Sequence, residues 1–104
     1  MIKSFRDKET KKIYHGYRSL KLDQSMQRVA YRKLKMLNNA YDLKDLLAPP
    51  SNHLEKLKGD LEGLYSIRIN DQYRICFRWY NQDAYDTPRA QVWRLWITIR
   101  SYYE

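Results

Sequence analysis

The sequence predicts an α+β domain in which N-terminal helices pack on one face of a small antiparallel β-sheet. Three observations carry that reading. Apolar residues recur every three or four positions as far as Tyr41 and every second position after residue 64; short turn signals join the alternating runs; and helices come first, strands afterwards, the chain order of segregated layers rather than of βαβ units. With 104 residues, 43% of them hydrophobic, and ten Tyr, three Trp and two Phe, the chain can build one core and has no room for a second. Residues 1–104 therefore read as a single domain.

Ile2 to Phe5 can start a strand. Asp7 offers an N-cap for a helix over residues 8–17, carrying Ile13 and Tyr14 among lysines, which Gly16 keeps brief. Asp23 or Ser25 caps a longer helix to about residue 38, where Met26, Val29 or Ala30, Leu34, Leu37 and Tyr41 form one apolar stripe and Arg28, Arg32, Lys33 and Lys35 fall largely off it. Asn38-Asn39 ends that helix, Asp42 can cap a turn containing Leu43, Leu46 and Leu47, and the paired prolines Pro49-Pro50 force a loop. The period then changes to two. Tyr65, Ile67 and Ile69 alternate with Ser66, Arg68 and Asn70; Asn70-Asp71-Gln72 reads as a turn; Tyr73, Ile75, Phe77 and Trp79 alternate with Arg74, Cys76, Arg78 and Tyr80. Asn81-Gln82-Asp83 signals a second turn, Pro88 keeps its surroundings out of a central strand, and from Val92 the alternation returns, with Trp93, Leu95, Ile97 and Ile99 opposite Arg94, Trp96, Thr98, Arg100 and Tyr102.

Composition narrows the function. No apolar run approaches the roughly 20 residues of a bilayer span, and the opening Met1-Ile2-Lys3-Ser4-Phe5-Arg6 lacks a secretory apolar stretch, so a cytoplasmic protein without membrane contact is expected. The lone Cys76 sits in a strand-like apolar run and reads as structural. His15 and His53 stand apart from any carboxylate or thiol at ligand spacing, so no metal site is expected. The net charge of +8 resides entirely in residues 1–35, with eleven Lys and Arg against Asp7, Glu9 and Asp23, whereas residues 36–104 balance nine against nine. So polarised an excess suits a polyanion, with Lys11, Lys12 and Arg32 as the helix cations that would meet it; a solvated helix surface or an acidic protein partner are the competing readings.

If the helices cover the apolar sheet face, Arg68, Arg74, Arg78 and Arg100 project from an open one. Guanidinium matches phosphate oxygens with a planar fork of donors and stacks on unpaired bases, and Tyr65, Tyr80, Trp96, Tyr102 and Tyr103 offer aromatic planes nearby. The same arginines on a solvated sheet face would only protect an edge.

The stretch Asn52-His53-Leu54-Glu55-Lys56-Leu57-Lys58-Gly59-Asp60, then Gly63, then residues 65–79, Tyr-Ser-Ile-Arg-Ile-Asn-Asp-Gln-Tyr-Arg-Ile-Cys-Phe-Arg-Trp, resembles the HigB branch of the RelE toxins. The opening five residues and Asp83-Ala84-Tyr85-Asp86 match as well, so the resemblance covers nearly everything up to residue 86. It implies a RelE-like α+β fold, a cognate HigA-like helix-turn-helix antitoxin, no cofactor, and mRNA cleavage in the ribosomal A site with the basic helices on ribosomal RNA. The implied reaction is attack of a ribose 2′-OH on the adjacent phosphate, which needs a base, positive charge for the phosphorane and an acid for the leaving 5′ oxygen. By position, Lys58 and Arg74 match residues at the scissile phosphate, and Arg68 lies in the same motif.

The tail departs from the family pattern. HigB-like chains run from Ala-Tyr-Asp into a last strand ending Asp-Tyr-His; here residues 87–96 intervene, and 97–103 fit that strand with Ser101 for Asp, Tyr102 retained and Tyr103 for His. Histidine titrates at about 6.5 and tyrosine at about 10, so the exchange removes the proton carrier suited to neutral pH. Tyr102 is then the first acid/base candidate and Tyr103 the second, with Glu104 and His53 as outside possibilities. General acid/base catalysis contributes roughly 10²–10⁴ in rate, so the implied outcomes are a slowed enzyme or a toxin that binds RNA, ribosome and antitoxin without cutting.

Overall fold

The computed structural model describes residues 2–40, 42–57, 64–80 and 91–99, with backbone only at 80, 91–94 and 99. Asp7 caps helix α1 (Lys8–Tyr14), one carboxylate oxygen accepting the Thr10 amide at 2.7 Å and the other the Thr10 hydroxyl at 3.0 Å. The helix ends a turn earlier than the sequence suggested. Gly16 adopts a φ of +86°, which costs glycine little, and there the amides of Gly16 and Tyr17 fold back onto the carbonyls of Ile13 and Lys12. Asp23 caps α2 (Gln24–Asn39) by accepting the Ser25 amide at 3.0 Å.

The expected stripe on α2 is buried at Met26, Ala30, Leu34 and Leu37, and Lys33 is buried with it, contrary to its placement off the stripe. Its ammonium donates to the carbonyl of Arg68, and loss of hydration, helped by the nearby charges of Arg32, Arg68 and Arg74, lowers its pKa to about 8. Beyond α2, two 3₁₀ turns, Leu43–Leu46 and Pro50–Asn52, carry the chain to the sheet edge.

The sheet has the antiparallel order β1 (Glu55–Lys56), β2 (Leu64–Arg68), β3 (Tyr73–Tyr80), β4 (Gln91–Ile99). The β2–β3 hairpin is the one anticipated, its turn tied by the Asn70 side chain accepting the amides of Gln72 and Tyr73 at 2.8 Å each. Ile67, Ile75 and Ile97 lie in register across three strands and meet Ile13, Met26, Ala30, Leu34 and Leu37 from the helices, which makes one core between helices and sheet. The N-terminal segment bridges β4 in parallel at Phe5 and Leu95, and the Arg6 amide reaches the Leu95 carbonyl at 2.9 Å along the outer edge of that strand. Thr10 ties α1 to the same strand, its hydroxyl accepting the Ile97 amide at 3.2 Å.

Candidate active site

Alternation places Ser66 and Arg68 of β2, Arg74, Cys76 and Arg78 of β3 and Trp96 of β4 on the sheet face away from the helices. That face is not open throughout, as the sequence had suggested. Leu57, Leu64 and Cys76 form a second, smaller buried cluster there with Trp96 packed against it. Burial pushes the Cys76 thiol up to about 11, as a structural cysteine would behave.

Arg74 is the main correction. Expected to project into solvent, it is only 4% exposed and reaches across β2 toward β1. Its Nε donates to the Ser66 hydroxyl at 2.8 Å; its Nη2 donates to the Ser66 carbonyl at 3.2 Å and to the His53 carbonyl, and lies 3.6 Å from the Glu55 carboxylate. The physical reason is the segment 53–57, which folds over that part of the face as β1 pairs Glu55 with Ser66. His53 holds a left-handed backbone with φ of 42°, and its carbonyl meets the guanidinium while its side chain stays exposed. The result is a fixed cation beside an exposed carboxylate. Glu55, which sequence reasoning passed over, is the one functional candidate the fold adds here; its position two residues before Leu57, within the matched motif, was the available signal.

The remaining candidates scatter. Arg68 is partly exposed and paired with Asp71 in the hairpin turn, opposite Arg74 in register. Arg78 is exposed, four residues along β3 from Arg74. Lys11, Lys12 and Arg32 are exposed on the helix layer, Lys12 lying 3.5 Å from Glu9, and they do not join the sheet arginines. Lys58, Arg100, Tyr102, Tyr103 and Glu104 lie outside the described residues, as do residues 87–90 of the extra segment. Among the described residues no group of His, Cys, Asp or Glu is arranged to hold a metal ion.

Two helices packed on one face of a four-stranded antiparallel sheet make an α+β fold of the RelE-like kind. A chain of the YoeB–YefM complex from Staphylococcus aureus superposes with a TM-score of 0.50 at 20% identity, covering 91% of this chain and 92% of that one, a likeness of fold. Residues 3–88 match the family described as HigB-like toxin, RelE-like toxin of type II toxin–antitoxin systems. Toxin HigB-1 of Vibrio cholerae is 38% identical over 88 residues, 84% of this chain and 93% of that protein. Endoribonuclease HigB of Proteus vulgaris is 36% identical over 82% of this chain and 91% of its own length. The chain belongs to the HigB-like toxins.

Proposed function

We propose that this toxin is a cytoplasmic, ribosome-dependent mRNA endoribonuclease that cleaves by 2′-OH attack on the adjacent phosphate and is silenced by a HigA-like antitoxin. The observation that carries the reading is the braced Arg74 guanidinium beside the half-exposed Glu55 carboxylate, on a toxin whose Proteus vulgaris relative is named an endoribonuclease. A charge held by protein acceptors needs no reorganisation as the phosphorane forms, which is how fixed electrostatics lower a barrier. Arg74 with Lys58 then stabilises the phosphate, and Glu55 supplies an oxygen that can take the 2′-OH proton. Tyr102, with Tyr103 behind it, returns a proton to the leaving 5′ oxygen. Arg68, Arg78 and Arg100 hold the mRNA strand, while Lys11, Lys12 and Arg32 contact ribosomal RNA.

Mapping mRNA ends by primer extension in a translating extract tests the assignment. The wild type is expected to cut within translated codons only when ribosomes are present, Glu55→Gln and Tyr102→Phe to slow the cuts by roughly 10²-fold or more, and Arg74→Lys to weaken them comparably. Well-folded wild-type protein that binds ribosomes and leaves every message intact would establish the non-cutting member of the fold instead.

A further inference from the structure

The far end of the same sheet face carries a groove that the chemistry at Arg74 does not use. Arg6, Leu64, Arg78 and Trp96 line an open cavity of about 410 Å³. Small-ligand sites span roughly 300–1,000 Å³. The Arg6 guanidinium carbon lies 4.9 Å from the centre of the Trp96 ring system, a cation–π contact. Arg6 arrives there because backbone bonds between Ser4, Arg6 and Leu95 lace the N-terminal segment to β4, so residues 90 positions apart meet by construction.

Neither Arg6 nor Arg78 forms an ion pair among the described residues, and both are exposed. Two exposed guanidinium groups thus flank an indole that packs against Leu57, Leu64 and Cys76. A partner matching this groove has a flat π-face for Trp96 and Arg6 and an anionic group for Arg78. An acidic peptide supplies the charge without the ring; a nucleotide supplies both. Arg78 stands four residues from Arg74, about 13 Å at the ordinary rise of a strand, so the groove is separate from the braced site yet on the same surface.

We propose that the Arg6–Trp96–Arg78 groove is a subsite for one nucleotide of single-stranded RNA, its base stacked against Trp96 and Arg6 and its phosphate on Arg78. The subsite deepens the endoribonuclease reading and rests on it for the identity of the strand. It fixes where the RNA lies rather than what happens at the cut.

The test is fluorescence anisotropy with a labelled 2′-O-methyl decamer of single-stranded RNA, which lacks the attacking hydroxyl and reports binding whether or not the protein cuts. Arg6→Gln removes an exposed side chain and leaves the core intact; it is expected to weaken binding about tenfold. Trp96→Leu should weaken it at least as much, with thermal melting confirming that it folds, because base stacking is worth about a tenfold factor or more. Arg28→Gln, an exposed helix arginine outside the groove, should change it less than twofold. Equal effects from Arg28→Gln and Arg6→Gln would overturn the subsite in favour of diffuse charge. Displacement of the decamer by an oligoglutamate peptide, but not by unlabelled RNA at equal charge, would overturn it in favour of a protein partner. Tight, groove-dependent binding by a protein that leaves messages uncut would retain the subsite and discard the cleavage reading; cutting unaltered in Arg6→Gln and Trp96→Leu, with unchanged binding, would do the reverse.

Discussion

Replacing Arg74 with alanine should damage the fold before it damages any chemistry. The side chain is 4% exposed and donates to the Ser66 hydroxyl, the Ser66 carbonyl and the His53 carbonyl, the first two buried. A hydrogen bond to a charged donor contributes about 1.5–3 kcal/mol, and acceptors left without a donor cost about 1–3 kcal/mol each. The Glu55 pair adds little, because that carboxylate side chain is 53% exposed and solvent screens it. Relief from burying a charge offsets part of the loss, so the net cost is about 3 kcal/mol, a large share of the roughly 5–15 kcal/mol available to a domain. In a chain of this size that lowers Tm by more than about 10 °C. Arg74→Lys keeps the charge but cannot span Ser66 and His53 together, and should cost about 2 kcal/mol. Urea unfolding followed by far-UV circular dichroism measures both; a loss below about 1 kcal/mol for Arg74→Ala would refute the bracing role. Activity losses in Arg74 variants must accordingly be read against their folded fraction.

Other consequences are as concrete. The folded pKa of Lys33, about 8, lies below its ordinary value of 10.5, so between these limits the unfolded chain holds the extra proton and stability rises with pH; the urea midpoint should climb from pH 7.5 to 9.5, and Lys33→Met should lose that climb. Cys76, buried with its pKa raised to about 11, should resist iodoacetamide at pH 8 in the native protein and react promptly in 6 M urea. Thr10→Val removes the hydroxyl that links the Asp7 cap to the Ile97 amide and should cost about 2 kcal/mol, read as a shift in urea midpoint.

The elements whose signal is local were legible in the sequence. Asp7 and Asp23 cap the helices because a short carboxylate reaches the amides of the first turn whatever the rest of the chain does, and the β2–β3 hairpin announces itself through period-two alternation around Asn70-Asp71-Gln72. Strand β1 was missed because two residues cannot alternate. Lys33 was misplaced because lysine goes by default to the surface, and only the nearby Arg68 carbonyl, 35 residues away, makes its burial tolerable. Alternation gave the correct face for Arg74 and Arg78, yet whether a face is covered depends on a segment distant in sequence. The cover over Arg74 comes from residues 53–57, and the partner of Trp96 is Arg6.

That difference in cover separates two kinds of arginine on one sheet. Arg74 is immobilised by fixed acceptors and partly shielded from water, which suits a charge aimed at a developing phosphorane. Arg6 and Arg78 are exposed and keep the freedom to follow a ligand, which suits recognition. The buried cluster of Leu57, Leu64 and Cys76 packs on the same face, with Cys76 between Arg74 and Arg78 along β3, and a packed cluster resists compression where a solvated surface does not. On the proposed mechanism, the electrostatic share of catalysis therefore resides in β2 and β3, apart from the tyrosines assigned to proton transfer. There, loss of the proton donor assigned to Tyr102 costs proton transfer alone, a reduction in rate, whereas losing Arg74 removes the charge and the platform that aims it together.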